Sequence, residues 1–389
     1  MKKAFLLLMA AAMCFWACDP KEDLYDYKDK ALTGTKVNVP ESFNAKKVFV
    51  LNEGQMGANN ASLDVLRVSD GQYITGVWKK MNPGEPAGLG DVANDIVVIG
   101  NEVWITVNNS GYVEVISAQD ETHIAAITVP SPRSIAFDDK YAYVSSYSGA
   151  YITYGADWKI VGSSNPKGHV YRIDLATHKL AGEPVEVGYQ PEGLACHDGK
   201  LYVANSGGLA SQLPPDYSYD NKVSVIDLST FKVVKDIVVE INLEKVYYDG
   251  AGQIYVTSMG DFYTTPSSLW VIKGDKAKKV CEHVYKSCIL GNSVYVLGDE
   301  NELDHSENAT HRYELSRYSI DGGAFKPTFF NLAFDGKPYG IACFDGYLFL
   351  ADAGDFFNPG TLSMYDTYAS PFKPWTVPAG VCPAHFAIW

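Results

Sequence analysis

One short strand pattern recurs seven times along this chain, and that recurrence limits the fold more than any other feature. Each copy sets an aromatic or large apolar residue between Val-like neighbours. The copies are Val48-Phe49-Val50, Val103-Trp104-Ile105, Ala142-Tyr143-Val144, Leu201-Tyr202-Val203, Ile254-Tyr255-Val256, Val294-Tyr295-Val296 and Leu348-Phe349-Leu350. Their central residues lie 39 to 59 positions apart, with a mean of 50. That is the length of one four-stranded propeller blade with its loops. A strand precedes several copies, as in Ser134-Ile135-Ala136-Phe137 and Gly340-Ile341-Ala342, and tight turns such as His197-Asp198-Gly199 join the two. A third strand follows (Val223-Ser224-Val225-Ile226-Asp227), and after a short turn a fourth (Lys232-Val233-Val234-Lys235). One such meander cannot bury both its faces. Radial stacking covers them and leaves only short edges. Two β-sandwiches are the alternative, and an even repeat over the whole chain argues against them.

The two ends point to ring closure. The chain finishes Pro383-Ala384-His385-Phe386-Ala387-Ile388-Trp389, which matches the innermost strand of other units, and no second strand follows it. The repeats begin instead with a second strand, Val48-Phe49-Val50. The expectation is an all-β, seven-bladed propeller over residues 46–389, built of four-stranded antiparallel blades, with the C-terminal strand completing the N-terminal blade.

Hydrophobic residues make up 47% of the chain and charged residues 20%, a globular balance. Asp and Glu outnumber Lys and Arg 46 to 32, for a net charge of −14. Such a surface repels nucleic acid and anionic lipid, so neither is expected as a partner. No later apolar run is long enough for a transmembrane helix.

Lys2 and Lys3 precede an apolar stretch, Ala4 to Met13, of signal-peptide length. Phe15-Trp16-Ala17-Cys18 closes it and resembles a bacterial lipobox, although Phe15 and Trp16 replace the usual residues. Residues 1–17 then form a lipoprotein signal peptide, and residues 18–45 the lipidated Cys18 with a flexible tether. An ordinary secretory signal with an incidental Cys is the alternative. Asp19-Pro20-Lys21-Glu22-Asp23 resembles the surface-export signal of Bacteroidetes lipoproteins. That implies an outer-membrane, cell-surface location, anchored by acyl chains on Cys18. Five Cys remain: Cys196, Cys281, Cys288, Cys343 and Cys382. They are odd in number and contain no CxxC, so they read neither as a complete disulfide set nor as a zinc site. Cys196 and Cys343 occupy matching repeat positions and read as small buried residues. A Cys281–Cys288 bridge stays open.

In this scaffold the turns between first and second strands, and between third and fourth, are short throughout. Loops on the opposite face vary widely, with long stretches at 145–167, 205–221 and 298–314. An elaborated face is where binding is expected. Its loops carry Asn52, Gln55, Asn59 and Asn60, then Asn108, then Tyr147, Tyr151 and Trp158. Later loops carry Asn205 and Tyr217, then Met259, Asp261, Phe262 and Tyr263, and finally Asp355, Phe356 and Phe357. Amides donate and accept together, and Tyr and Trp offer wide apolar area with a polar tip. Nearer the axis, the residues that open the blades add Asn94, Asp95, Arg133, Glu192, Glu244, Lys245, Lys286, Tyr339 and His385. The alternative is that many of these Tyr pack between blades and that the charges pair and plug the channel. The face suits a large, mostly neutral ligand and suits a compact anion poorly.

No GxSxG, HExxH or Walker pattern occurs. The acidic stretch 299–304, with His305 and His311 nearby, matches no EF-hand loop and reads as solvated, with a calcium site as the alternative. No catalytic residues and no metal ligands are therefore assigned, and a binding protein is expected rather than an enzyme.

The stretch Leu51-Asn52-Glu53-Gly54-Gln55-Met56-Gly57-Ala58-Asn59-Asn60-Ala61-Ser62-Leu63 and the ending Pro383-Ala384-His385-Phe386-Ala387 resemble a Bacteroidetes family of surface-lipoprotein propellers. The best-understood members of that family bind corrinoids. The resemblance implies that cobalamin is a transported ligand, not a cofactor, and is passed to a TonB-dependent outer-membrane transporter. A glycan-binding surface lipoprotein and a propeller lactonase or lyase are the alternatives.

Overall fold

The computed structural model describes residues 32–85, 88–155, 159–211, 218–306, 309–321, 324–334, 336–366 and 374–389. Cys18, Trp158 and Tyr217 lie outside these residues. Seven antiparallel sheets follow one another along the chain as the blades of a propeller. Blades 2 to 7 open with the innermost strands Ala93–Ile99, Pro132–Phe137, Pro191–His197, Leu243–Tyr248, Val284–Leu290 and Pro338–Phe344. Blade 1 takes its innermost strand from the C-terminus. Pro383–Ile388 pairs antiparallel with Lys47–Asn52, setting Ile388 opposite Val48 and Ala387 opposite Phe49. The main chain of Trp389 then accepts hydrogen bonds from the amides of Lys46 and Lys47 at 2.6 and 3.1 Å.

Strand alternation explains how the blades stack. Successive side chains on a strand point to opposite faces. In each seven-fold motif the central residue therefore faces one neighbouring blade and its two flanks face the other. Among the described residues the apolar core divides accordingly into seven clusters, one per seam. Phe49 packs with Val103 and Ile105, Trp104 with Ala142 and Val144, and Tyr143 with Leu201 and Val203. Tyr202 meets Ile254 and Val256, Tyr255 meets Val294 and Val296, and Tyr295 meets Leu348 and Leu350. Phe349 packs with Val48 and Val50, which closes the circle. All of Lys47–Asn52 is buried, as a second strand covered on both faces must be. The outermost strand Lys232–Val238 is mostly exposed. Burying each central ring is worth roughly 1.5–3 kcal/mol, an upper figure because a denatured chain already buries part of it.

Three local features depart from the sequence reading, and one open question is answered. The packed ring begins before residue 46. Thr35–Lys36 pairs with the outer strand of blade 1, and Phe43 is buried edge-on against Tyr347 at 5.6 Å. The apolar residues Val37 and Phe43 are too few and irregular to read as a strand, yet they fit the seam of blades 1 and 7. A short helix, Val77–Met81, leads from blade 1 to blade 2 and buries Val77 and Trp78. A hairpin, Tyr151–Tyr154 with Ile160–Ser164, is inserted into blade 3. Finally, Cys281 and Cys288 do not meet. Cys281 lies on the outermost strand of blade 5 and Cys288 on the innermost strand of blade 6, and no bond joins the two. No helix among the described residues is long and apolar enough to cross a membrane.

Candidate functional site

The innermost strands surround an axial channel of about 530 Å³. A β-bulge sits where six of these strands begin, and blade 1 has one at the same place, near Asn52 and Pro383. A bulge lets two consecutive residues oppose one on the partner strand. It breaks the inward-outward alternation, so neighbouring pairs such as Asn94 with Asp95 and Glu244 with Lys245 both line the channel. At the same level the chain turns in from the outer strand of the previous blade. It does so through left-handed residues: Val92, Ser131, Gln190, Asn242, His283 and Cys382, with φ between 43° and 61°. The carbonyl of each accepts a hydrogen bond from the residue that follows the second strand of its blade, and Lys337 plays the same part in blade 7. The seven donors are Glu53, Asn108, Tyr147, Ser206, Met259, Asp299 and Ala353. One repeated backbone bond thus sets seven equivalent chain positions around the elaborated end of the channel, of which Glu53 and Met259 line it directly.

One part of this mouth is locked. Arg133 Nε and Nη2 donate to the two carboxylate oxygens of Glu192 at 3.0 and 3.2 Å, and Nη1 donates to Asn94 Oδ1 at 2.7 Å. The guanidinium lies 4.8 Å from the Tyr147 ring centre, and the Tyr147 hydroxyl donates to Glu192. Burial would lower the Arg133 pKa, but the Glu192 carboxylate beside it outweighs that and raises it. A second knot joins blades 1 and 7. His385 Nε2 is 2.9 Å from one oxygen of Glu53, and the Tyr339 hydroxyl donates to the other. Burial would raise the Glu53 pKa. The hydrogen bond and charge of His385, the Tyr339 hydroxyl and the charge of Lys286 outweigh it and hold the carboxyl below its ordinary range. Burial and the neighbouring Glu53 push Tyr339 far up. Asp95 accepts from Ser134 Oγ at 2.5 Å and from the Ile135 amide at 2.8 Å, so it serves the seam of blades 2 and 3.

The remaining part is open. Among the described residues the Glu244 and Lys245 side chains have neither hydrogen-bond nor ion-pair partner, while Lys286 lies 5.3 Å from the Tyr339 ring centre. Four carboxylates (Glu53, Asp95, Glu192, Glu244) face three cations (Arg133, Lys245, Lys286) and His385, so the mouth is close to neutral. Beyond them the wall turns apolar, with Val97, Ile135, Leu194, Val246, Ile289 and Phe386.

The residues expected from sequence divide into three groups. Asn94, Arg133, Glu192, Met259, Tyr339 and His385 meet in the channel wall, with Tyr147 bonded to Glu192. Asn52 and Asn205 are fully buried in equivalent positions. Asn52 donates to Ser62 and accepts from the Gly380 amide; Asn205 donates to Lys222 and Ser224 and accepts from Gly188. Their amides are consumed inside the fold. Asn108 likewise donates to the Pro132 carbonyl. The third group lies on the rim. Asn60 accepts from the Gln55 amide and holds the loop that carries exposed Met56 and Asn59. Tyr151 stands on the inserted hairpin, half-exposed. Glu53 was not singled out by the sequence reading. Its equivalence to Tyr147 and Met259 in the repeat is the signal that locates it.

Two rim loops repeat a motif, Gly260-Asp261-Phe262-Tyr263-Thr264 and Gly354-Asp355-Phe356-Phe357-Asn358. Asp261 Oδ1 accepts from the amides of Tyr263, Thr264 and Thr265 at 2.7–2.9 Å. Asp355 Oδ1 accepts from the amides of Phe357 and Asn358 at 2.9 and 2.8 Å. Slight burial would raise Asp261, but the Thr264 hydroxyl and these amides hold it far below its ordinary range. The Asn358 amide and side chain, with the Phe357 amide, hold Asp355 at about 2. Both aspartates therefore brace their loops. The aromatic residues face solvent: Phe262 and Phe356 share a φ of 66°, and Tyr263 and Phe357 are each 73% exposed.

No family model matches the chain, and no curated protein matches it in sequence. Solved structures share its architecture. Hydrazine synthase of Kuenenia stuttgartiensis is 16% identical, with a TM-score of 0.57 over 75% of this chain and 88% of its own. The hypothetical selenium-binding protein of Sulfolobus tokodaii is 10% identical, with a TM-score of 0.55 over 86% and 91%. The computationally designed Ika8 protein is 10% identical, with a TM-score of 0.51 over 87% and 96%. At such identities the likeness is one of fold. The class defined is a seven-bladed β-propeller with an elaborated, nearly neutral channel mouth.

Proposed function

We propose that the loop-bearing face captures a large, mostly neutral ligand with flat apolar surfaces and a polar edge, without converting it chemically. The chemistry and the resemblance of Leu51–Leu63 and Pro383–Ala387 together favour a corrinoid such as cobalamin. A corrinoid is a flat macrocycle edged with neutral amides. The observation that carries this reading is the braced pair of rim loops. Each holds an exposed ring, Tyr263 or Phe357, in place through an aspartate that saturates the loop's own amides. A ring fixed before binding loses little freedom on contact, so its buried area converts efficiently into affinity. Asn59 and Gln55 supply amides at the same rim, and the charges of Arg133 and Glu192 are already paired, so a neutral guest meets little net field. In the same reading the protein is a Cys18-anchored lipoprotein of the outer-membrane surface that delivers its ligand to a TonB-dependent transporter.

Titration calorimetry with cyanocobalamin tests the capture step. Binding with micromolar or tighter Kd is expected, and Tyr263→Ala or Phe357→Ala should each weaken it roughly 5- to 30-fold. Absence of heat at micromolar protein rejects the corrinoid. Co-purification of the transporter from detergent-solubilised membranes tests the delivery step.

A further inference from the structure

We propose that Cys288 and Cys343 form a disulfide that locks blade 6 to blade 7 on the wall of the axial channel. Cys288 lies on the innermost strand Val284–Leu290 and Cys343 on the innermost strand Pro338–Phe344. Their sulfurs are 3.0 Å apart, although 55 residues separate them in sequence. Both are buried, in a cluster with Leu297, Leu315 and Leu350. A disulfide bond is about 2.05 Å long, so closing it requires the sulfurs to approach by about 1 Å. The other cysteines offer no such pair among the described residues. Cys382 Sγ meets only the Phe356 carbonyl, at 3.6 Å, and Cys281 is on an outermost strand.

The electron acceptor is a low-molecular-weight disulfide. One cysteine thiolate attacks a sulfur of the donor, forms a mixed disulfide and releases one small thiol. The second cysteine thiolate then displaces the other small thiol. Two protein thiols and one donor disulfide thus give one protein disulfide and two small thiols, with both electrons carried to the donor. Burial pushes the Cys343 thiol well up, and Cys288 beside it pushes in the same direction. Thiolate is therefore scarce once the blades have docked. The exchange takes place as blade 7 docks on blade 6, before the seam is sealed. The junction of blades 7 and 1 closes by packing and hydrogen bonds, and the bridge makes the adjoining seam covalent.

Refolding tests this on the full chain. Reduced, denatured protein is refolded in a buffer of oxidised and reduced glutathione. Free thiols are then alkylated under denaturing conditions and the unreduced digest is mapped by mass spectrometry. A peptide linking Cys288 to Cys343 is expected, with Cys196, Cys281 and Cys382 alkylated. Alkylation of both Cys288 and Cys343, or a link from either one to a third cysteine, overturns the assignment. The oxidised wild type should melt roughly 3–8 °C above the same protein kept reduced. Equal melting temperatures overturn the locking role. The mapping uses the wild type and does not depend on a variant that folds. Cys343→Ala, if it folds, should abolish the difference in melting temperature.

Discussion

Replacing Arg133 tests whether the channel mouth is a preorganised unit or a set of independently solvated charges. Arg133→Met keeps an unbranched apolar stem and removes three hydrogen bonds, two to Glu192 and one to Asn94, together with the stacking on Tyr147. Breaking a sealed ion pair costs about 3–5 kcal/mol because a charge is stranded. An exposed pair is worth about 0–1 kcal/mol. The side chains here are 21% and 18% exposed, recessed but open to the channel. A loss of about 2–3 kcal/mol is therefore expected for Arg133→Met, and about 2 kcal/mol for Glu192→Gln. The double variant should cost less than the two losses combined by about 1–2 kcal/mol, because the second change removes the charge stranded by the first. Urea denaturation followed by tryptophan fluorescence measures all four proteins. Single variants within 0.5 kcal/mol of the wild type, together with no coupling, would refute the reasoning and show a mouth ruled by solvent.

Further expectations concern the rest of the ring. The Glu53 carboxyl titrates below its ordinary range, so its contribution to stability is present above the unfolded pKa and is lost as pH falls through the folded value. Urea midpoints of the wild type should therefore decline relative to Glu53→Gln as pH is lowered from about 5 towards 3, and parallel profiles would contradict this. Val92 is a β-branched residue held at a φ of 56°. Val92→Asn relieves that strain and should raise stability by about 1 kcal/mol, read from the same denaturation curves; a loss of stability would count against it. Deleting residues 383–389 removes the strand that closes blade 1. The truncated chain should lose the single cooperative melt of the full protein in calorimetry, whereas an unchanged transition would mean that closure contributes little.

The architecture was legible because the seven motifs face a constraint that acts residue by residue. A second strand covered on both faces must be apolar through its middle, and its large central residue fills one seam while its flanks fill the next. That requirement leaves a mark in sequence at every turn of the ring, and the unmatched strand at each end shows where the ring closes. The rim was legible in composition only. Asn52 and Asn205 carry the same amide as Asn59, yet burial turns the first two inward to hold loops. Asp261 and Asp355 look like ligand contacts in a string of letters but spend their oxygens on the amides and side chains of their own loops.

By itself, then, the sequence determined the number of blades, the order of strands within them, the face that carries long loops, and the residues that open each blade toward the axis. These follow from local periodicity, which a linear string records directly. Only the tertiary structure decided how those residues are used: the pairing of Arg133 with Glu192, the knot of Glu53, Tyr339 and His385, and the meeting of Cys288 with Cys343. Each depends on side chains brought together from different blades. Such distances are set by the bulges and by the curvature of the closed ring, and neither leaves a periodic trace along the chain.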